Sequence, residues 1–125
     1  MSEKVIEKYA NGCRIVHEER MHPDLYHFER PGRRIKSFKN LGKARLYAAI
    51  YVLTGGFDEK NTGERGVPPT VARADENIRM AYLTALMSPT YAARAFEIDV
   101  DCTLEKVQQV CDRAEEQLSE ETDEE

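Results

Sequence analysis

Leu46-Tyr47-Ala48-Ala49-Ile50-Tyr51-Val52-Leu53 is the longest apolar run in the chain, and its reading decides the fold. Asn40 suits an N-cap and Gly55-Gly56 a C-terminal stop, so the run forms the second half of a helix over 41–53. The first turn is polar, with Lys43 and Arg45, whereas the second half is apolar all round. A helix with no polar face has to be covered on more than one side. The cover available is a sheet from the residues before it and helices from those after it. Eight residues fall far short of the ~20 needed to span a bilayer, so no membrane partner is expected.

Upstream, the turn residues divide the chain into short extended segments. Asn11-Gly12 fits a two-residue hairpin turn because both positions tolerate positive φ. His22-Pro23-Asp24 and Pro31-Gly32 supply two more turns. The strands expected between them are Val5–Tyr9, Cys13–Glu18, Leu25–Glu29 and Arg34–Phe38. Downstream, residues 56–69 hold three Gly and two Pro and form a connecting loop. Three helices are expected after it. The first is capped by Thr70, with Val71, Ala74, Ile78, Ala81, Tyr82 and Ala85 on one face. The second is opened by Ser88-Pro89 and runs to about Glu97. The third is capped by Thr103, with Leu104, Val107, Cys111, Ala114 and Leu118 as its apolar stripe.

The fold class is therefore α+β: an N-terminal antiparallel β-meander of three to four strands packed on a helix, followed by a three-helix C-terminal lobe. The divisions are a meander-plus-helix unit over 1–55, a connecting loop over 56–69, a helical lobe over 70–118 that offers a helix-turn-helix or dimerisation bundle, and a frayed acidic tail over 119–125.

The 125 residues are 41% hydrophobic, enough for one globular core. Residues 1–45 carry 11 Lys+Arg, 6 Asp+Glu and all three histidines, whereas residues 46–125 carry 7 and 17. That asymmetry suggests a basic surface for an acidic partner joined to an acidic remainder. Cys13, Cys102 and Cys111 are an odd set with no Cys-x-x-Cys pair, and Met1-Ser2-Glu3-Lys4 has no apolar leader segment. A cytoplasmic, reducing setting is the simplest expectation.

Motifs for chemistry are missing. There is no phosphate-binding Gly-x-x-x-x-Gly-Lys, no Gly-x-Ser-x-Gly and no His-Glu-x-x-His, so no catalytic residue and no cofactor is assigned. His17, His22 and His27, with Cys13 and Glu18 nearby, match no zinc module. They are read as histidines on exposed strand faces, and no metal is assigned.

The stretch Gly32-Arg33-Arg34-Ile35-Lys36-Ser37-Phe38-Lys39-Asn40-Leu41-Gly42-Lys43-Ala44, within residues 13–53, resembles the last strand and helix start of small sheet-plus-helix DNA-binding domains. Such domains occur in phage-type integrases and plant ethylene-response factors, and they lay the sheet in the major groove. With Ile15, Phe28 and Ile35 toward the helix, strand parity puts Arg14, Arg20, His27, Arg34 and Lys36 on the open face as nucleic-acid-binding residues. Residues 41–118, with Thr62-Gly63-Glu64-Arg65-Gly66-Val67-Pro68-Pro69, also resemble small uncharacterised proteins of haloarchaea and their viruses, a resemblance that implies no activity.

The leading expectation is a small non-enzymatic DNA-binding accessory or regulatory protein whose basic N-terminal lobe meets nucleic acid. One alternative is a protein-interaction module, viral or mobile-element encoded, working through its acidic helices 70–118 as a homodimer or with another protein. Another is a small-molecule binder with Arg65 and Arg94 as anion clamps.

Overall fold

The computed structural model describes residues 2–9, 12–21, 23–57 and 68–123, with side chains through Gln117. Four strands, β1 (Ser2–Lys8), β2 (Arg14–Glu19), β3 (Leu25–Arg30) and β4 (Arg33–Phe38), form an antiparallel meander in the order β1-β2-β3-β4. Five helices follow: α1 (Leu41–Thr54), α2 (Pro69–Ala72), α3 (Glu76–Leu86), α4 (Pro89–Ala95) and α5 (Val100–Asp123). The fold is α+β.

Helix α1 is the hub. Its N-cap is Asn40, whose side chain accepts from the Lys43 N–H, and Gly55 closes it in a left-handed conformation. Ala44 and the six consecutive residues Leu46–Tyr51 are all buried. No single contact surface buries six consecutive helical positions. Here β2, β3 and β4 cover one side of α1, and α3 and α5 cover the other. Tyr47 sits at the junction, its ring 5.3 Å from Phe38, 5.6 Å from Phe28, 5.5 Å from Phe57 and 6.5 Å from Tyr82. Tilted and edge-on contacts of this kind add to the apolar burial of each ring. Sheet and helices therefore share one core, and α1 contributes to both halves of it.

Four details differ from the sequence reading. The first C-terminal helix is two: α2 ends after one turn, and Asp75, not Thr70, caps α3 by accepting from the Ile78 N–H. The last helix begins at Val100 under Asp99, which accepts from the Cys102 N–H at 2.7 Å; Thr103 is fully buried inside it. In both cases an Asp four or five residues from the expected Thr wins the cap, consistent with the stronger acceptor of a carboxylate. The backbone of α5 stays helical to Asp123, across the segment expected to fray. His27 is buried rather than exposed, for reasons given below. The expected Asn11, His22, Arg65 and most of the 56–69 connection lie outside the described residues. Phe57, where that connection begins, is buried among the core aromatics.

Two turns of the sheet lock together. Gly12 has φ 76°, and a Cβ there would stand 2.7 Å from the Pro31 ring, so the first and third turns touch where only glycine fits.

Candidate nucleic-acid interface

Cross-strand neighbours share a face, so the register assigns every strand residue. Ile15 pairs with Phe28, and Phe28 with Lys36, on the side of α1. The face turned away from α1 carries two rows: Lys8, Arg14, Glu29 and Arg34, then Val5, Val16, His27 and Ser37, with the opposed pair Glu3 and Glu18 beyond them.

Among the described residues no helix packs on this face, yet its centre is covered. Glu29 accepts from Arg14 Nη2 at 3.0 Å on one oxygen and from Arg34 Nε at 2.7 Å on the other. Arg34 Nη2 also donates to Glu3 at 2.9 Å, so an edge strand reaches the opposite edge strand over the middle of the sheet. Beneath this bridge His27 is 3% exposed, Val16 4% and Glu29 8%. His27 Nε2 donates to Glu18 at 2.7 Å, and Nδ1 lies 2.6 Å from the Ser37 hydroxyl.

The electrostatics follow from these contacts. Burial by itself pushes the Glu29 carboxyl up, but hydrogen bonds and charge from Arg34 and Arg14 outweigh it and hold the group below the ordinary carboxylate range. Burial likewise works against the charged form of Arg34, and its bonds to Glu29 and Glu3 overcome that and raise it. The His27 hydrogen bond is the main cause holding Glu18 below its usual range.

The five residues assigned from sequence fall into three groups. Arg14, His27 and Arg34 do lie together on the face away from α1, and all three are bound to carboxylates there. Arg20 lies just past β2, where its backbone N–H donates to Asp24 and its guanidinium stands 4.0 Å from Glu18. Lys36 is not on this face. A bulge makes the step from Phe28 to Glu29 span Lys36 to Arg34, leaving Ile35 as the extra residue packed against the core. Beyond a bulge, alternation restarts one residue out of phase, so Lys36 joins the side of Phe28.

The bulged strand is the more informative surface. β4 is an edge strand, and Arg33, Lys36 and Lys39 along it and just past its end form no ion pair among the described residues. Arg33 and Lys39 are exposed and Lys36 is half-buried. Lys43, on the first turn of α1, directs its Nζ to the Met87 carbonyl, donating at 2.9 Å. Arg33 and Lys39 are not among the five residues assigned from sequence, although one signal marks this edge as cationic. From Arg30 to Phe57 there are seven Lys and Arg and no Asp or Glu. The acids that neutralise Arg34 and Arg45 come from β1 and β3, and none reaches the outer edge.

The helical half offers less to a phosphate. α4 and α5 join through residues 96–99, with Ala93 and Val107 buried and Phe96 and Ile98 against the core, as a helix-turn-helix would need. The outer face of α5 shows Glu105, Gln108, Gln109 and Asp112. Arg94 is exposed on α4. Among the described residues no helix is long and apolar enough to cross a membrane. No family model, curated protein or solved structure matches the chain.

Proposed function

We propose that this is a small non-enzymatic DNA-binding accessory or regulatory protein whose contact surface is the cationic β4 edge. The observation that carries the reading is the set of cations Arg33, Lys36 and Lys39 with no carboxylate partner among the described residues, over roughly 20 Å of extended chain. A phosphate approaching this edge releases counterions and displaces no internal ion pair, whereas on the sheet face it would have to break the bonds to Glu29. Charged edges also protect sheets from pairing edge to edge, and binding measurements separate that role from DNA contact. The free thiols of Cys13, Cys102 and Cys111 favour a reducing, cytoplasmic setting.

The test is a salt titration of binding to random-sequence duplex DNA. Three phosphate contacts predict a slope of log K against log salt near −2.7, about −0.9 for each. Arg33→Ala, Lys36→Ala and Lys39→Ala together abolish that slope, while Glu105→Lys with Asp112→Lys leaves the edge contribution unchanged. Absence of wild-type binding at low salt overturns the reading.

A protein-interaction role through the acidic helices has its own observation. Met87, Tyr91, Val100 and Leu104 are exposed large apolar residues within one eighteen-residue stretch, and Val100 and Leu104 share a face of α5. Concentration-dependent self-association lost in Tyr91→Ser with Leu104→Ser supports that role.

A further inference from the structure

The geometry points to a divalent metal site of the zinc class on the sheet face, formed by His27 Nε2 and the carboxylates of Glu18 and Glu3. Ligand atoms of these three residues all lie within 4.8 Å of one another, the span a single ion can bridge. They come from three successive strands, so the sheet itself sets their spacing.

Three features distinguish the group from an ordinary patch of surface acids. First, its nitrogen ligand is almost wholly buried and its ring is fixed at the far side, Nδ1 lying 2.6 Å from the Ser37 hydroxyl. Metal-binding histidines use such a partner to hold the ring and set its tautomer. Second, a hydroxyl both donates and accepts, so the group accommodates either tautomer. Without metal, Nε2–H donates to Glu18 and the Ser37 hydroxyl donates to Nδ1. With metal, an Nδ1–H donating its hydrogen bond to Ser37 Oγ leaves the Nε2 lone pair for the ion. Third, Glu3 and Glu18 are directly opposed across β1 and β2, a like-charge pair that costs stability unless a cation lies between them.

Arg34 supplies part of that positive charge by bonding to Glu3, and it would be the ion's competitor. It keeps Glu29 when Glu3 is withdrawn. One imidazole and two carboxylates leave coordination positions open for water, and the nitrogen donor favours Zn²⁺ over Mg²⁺ or Ca²⁺. This inference stands apart from the DNA reading, because its residues lie on the face and not on the β4 edge.

The experiment is a titration of the full chain with ZnCl₂, followed by the ring-nitrogen NMR signals of its three histidines. One equivalent is expected to shift the Nε2 signal of His27, while millimolar MgCl₂ leaves it in place. Glu3→Gln, at a half-exposed position that spares the fold, should weaken Zn²⁺ at least tenfold. Arg34→Ala should tighten it several-fold, a gain that a merely structural role for Arg34 does not predict. Zinc that moves only the His17 or His22 signals, or none because the cysteines hold it, overturns the site, as does undiminished affinity in Glu3→Gln.

Discussion

The face of the sheet and its β4 edge carry the same kinds of residue and present opposite surfaces. On the face, Arg14 and Arg34 converge on Glu29, and Arg34 crosses to Glu3. On the edge, Arg33, Lys36 and Lys39 meet no acid among the described residues. Counting Lys and Arg therefore measures total charge but not the charge available to a partner. Availability depends on which carboxylates the strand order brings alongside. Arg34, although on the edge strand, lies on the face where Glu29 and Glu3 stand and meets both, whereas Arg33, Lys36 and Lys39 reach neither.

The largest expected effect breaks this comparison outright. Removing Arg33, Lys36 and Lys39 together should weaken duplex binding at 0.1 M salt on the order of a few hundredfold, taking a factor of about eight per phosphate contact and an unchanged affinity at 1 M salt. Removing Arg14 and Arg34 should change binding less than tenfold, because both are committed to Glu29. Comparable losses in the two variants would mean that face and edge act as one surface.

Next in size is the conversion of face into edge. Glu29→Ala leaves two guanidinium groups without their shared acceptor and should cost about 1–2 kcal/mol in denaturant unfolding. That figure is below the ~3–5 kcal/mol of a fully buried pair because both arginines are substantially solvated. The same variant should steepen the salt dependence of DNA binding, since Arg14 and Arg34 become available. A loss of stability with an unchanged slope would show that the face is closed to DNA even when its charge is released.

Acid offers the same conversion without mutation. The folded-state pKa of Glu29 is depressed, so its contribution is fully present above the ordinary glutamate range and is lost as pH falls through the folded value. Glu18 follows the same sign. Stability should therefore decline on the acid side of about pH 4.3, the usual glutamate value, and Glu29→Ala should flatten that decline. An unaltered acid limb in the variant would remove Glu29 from the account.

The smallest effect is a control placed in the helical half. Glu97 has φ 56° at the end of α4, where the Ile98 N–H reaches the Ala93 carbonyl and the Glu97 N–H reaches Arg94. This is the left-handed position that glycine usually occupies. Glu97→Gly should raise stability by about 0.5–1 kcal/mol and leave DNA binding unchanged. A shift in binding of the size seen with the edge variants would bring the α4–α5 turn into the interface.

Local chemistry was legible residue by residue. Asn40 and Ser88 cap the helices they were expected to cap, and Ser88 accepts from the Tyr91 N–H at 3.0 Å. Pro31-Gly32 makes the tight turn between β3 and β4. Thr70 and Thr103 failed as caps because several nearby residues can serve, and the choice depends on where α3 and α5 must begin in order to dock on α1. The bulge at Ile35 leaves no mark in the sequence, because alternation reports which residues are apolar and not whether one has been skipped. His27 looked exposed for a related reason: the groups that cover it, Glu18, Ser37 and the Arg34–Glu3 bridge, lie 9, 10 and up to 24 positions away.

By itself the sequence determined the α+β class, the antiparallel meander and the central place of α1, because turn residues, caps and an unbroken apolar run act within a few residues of themselves. Tertiary structure decided which cations meet a carboxylate among the described residues, why His27 is buried, and how Glu3 comes to stand beside Glu18. Those outcomes depend on strand pairing and on side-chain contacts across the sheet, between residues as many as 31 positions apart. A single bulge reassigns Lys36 from one face to the other, and no local pattern of residue types carries that information.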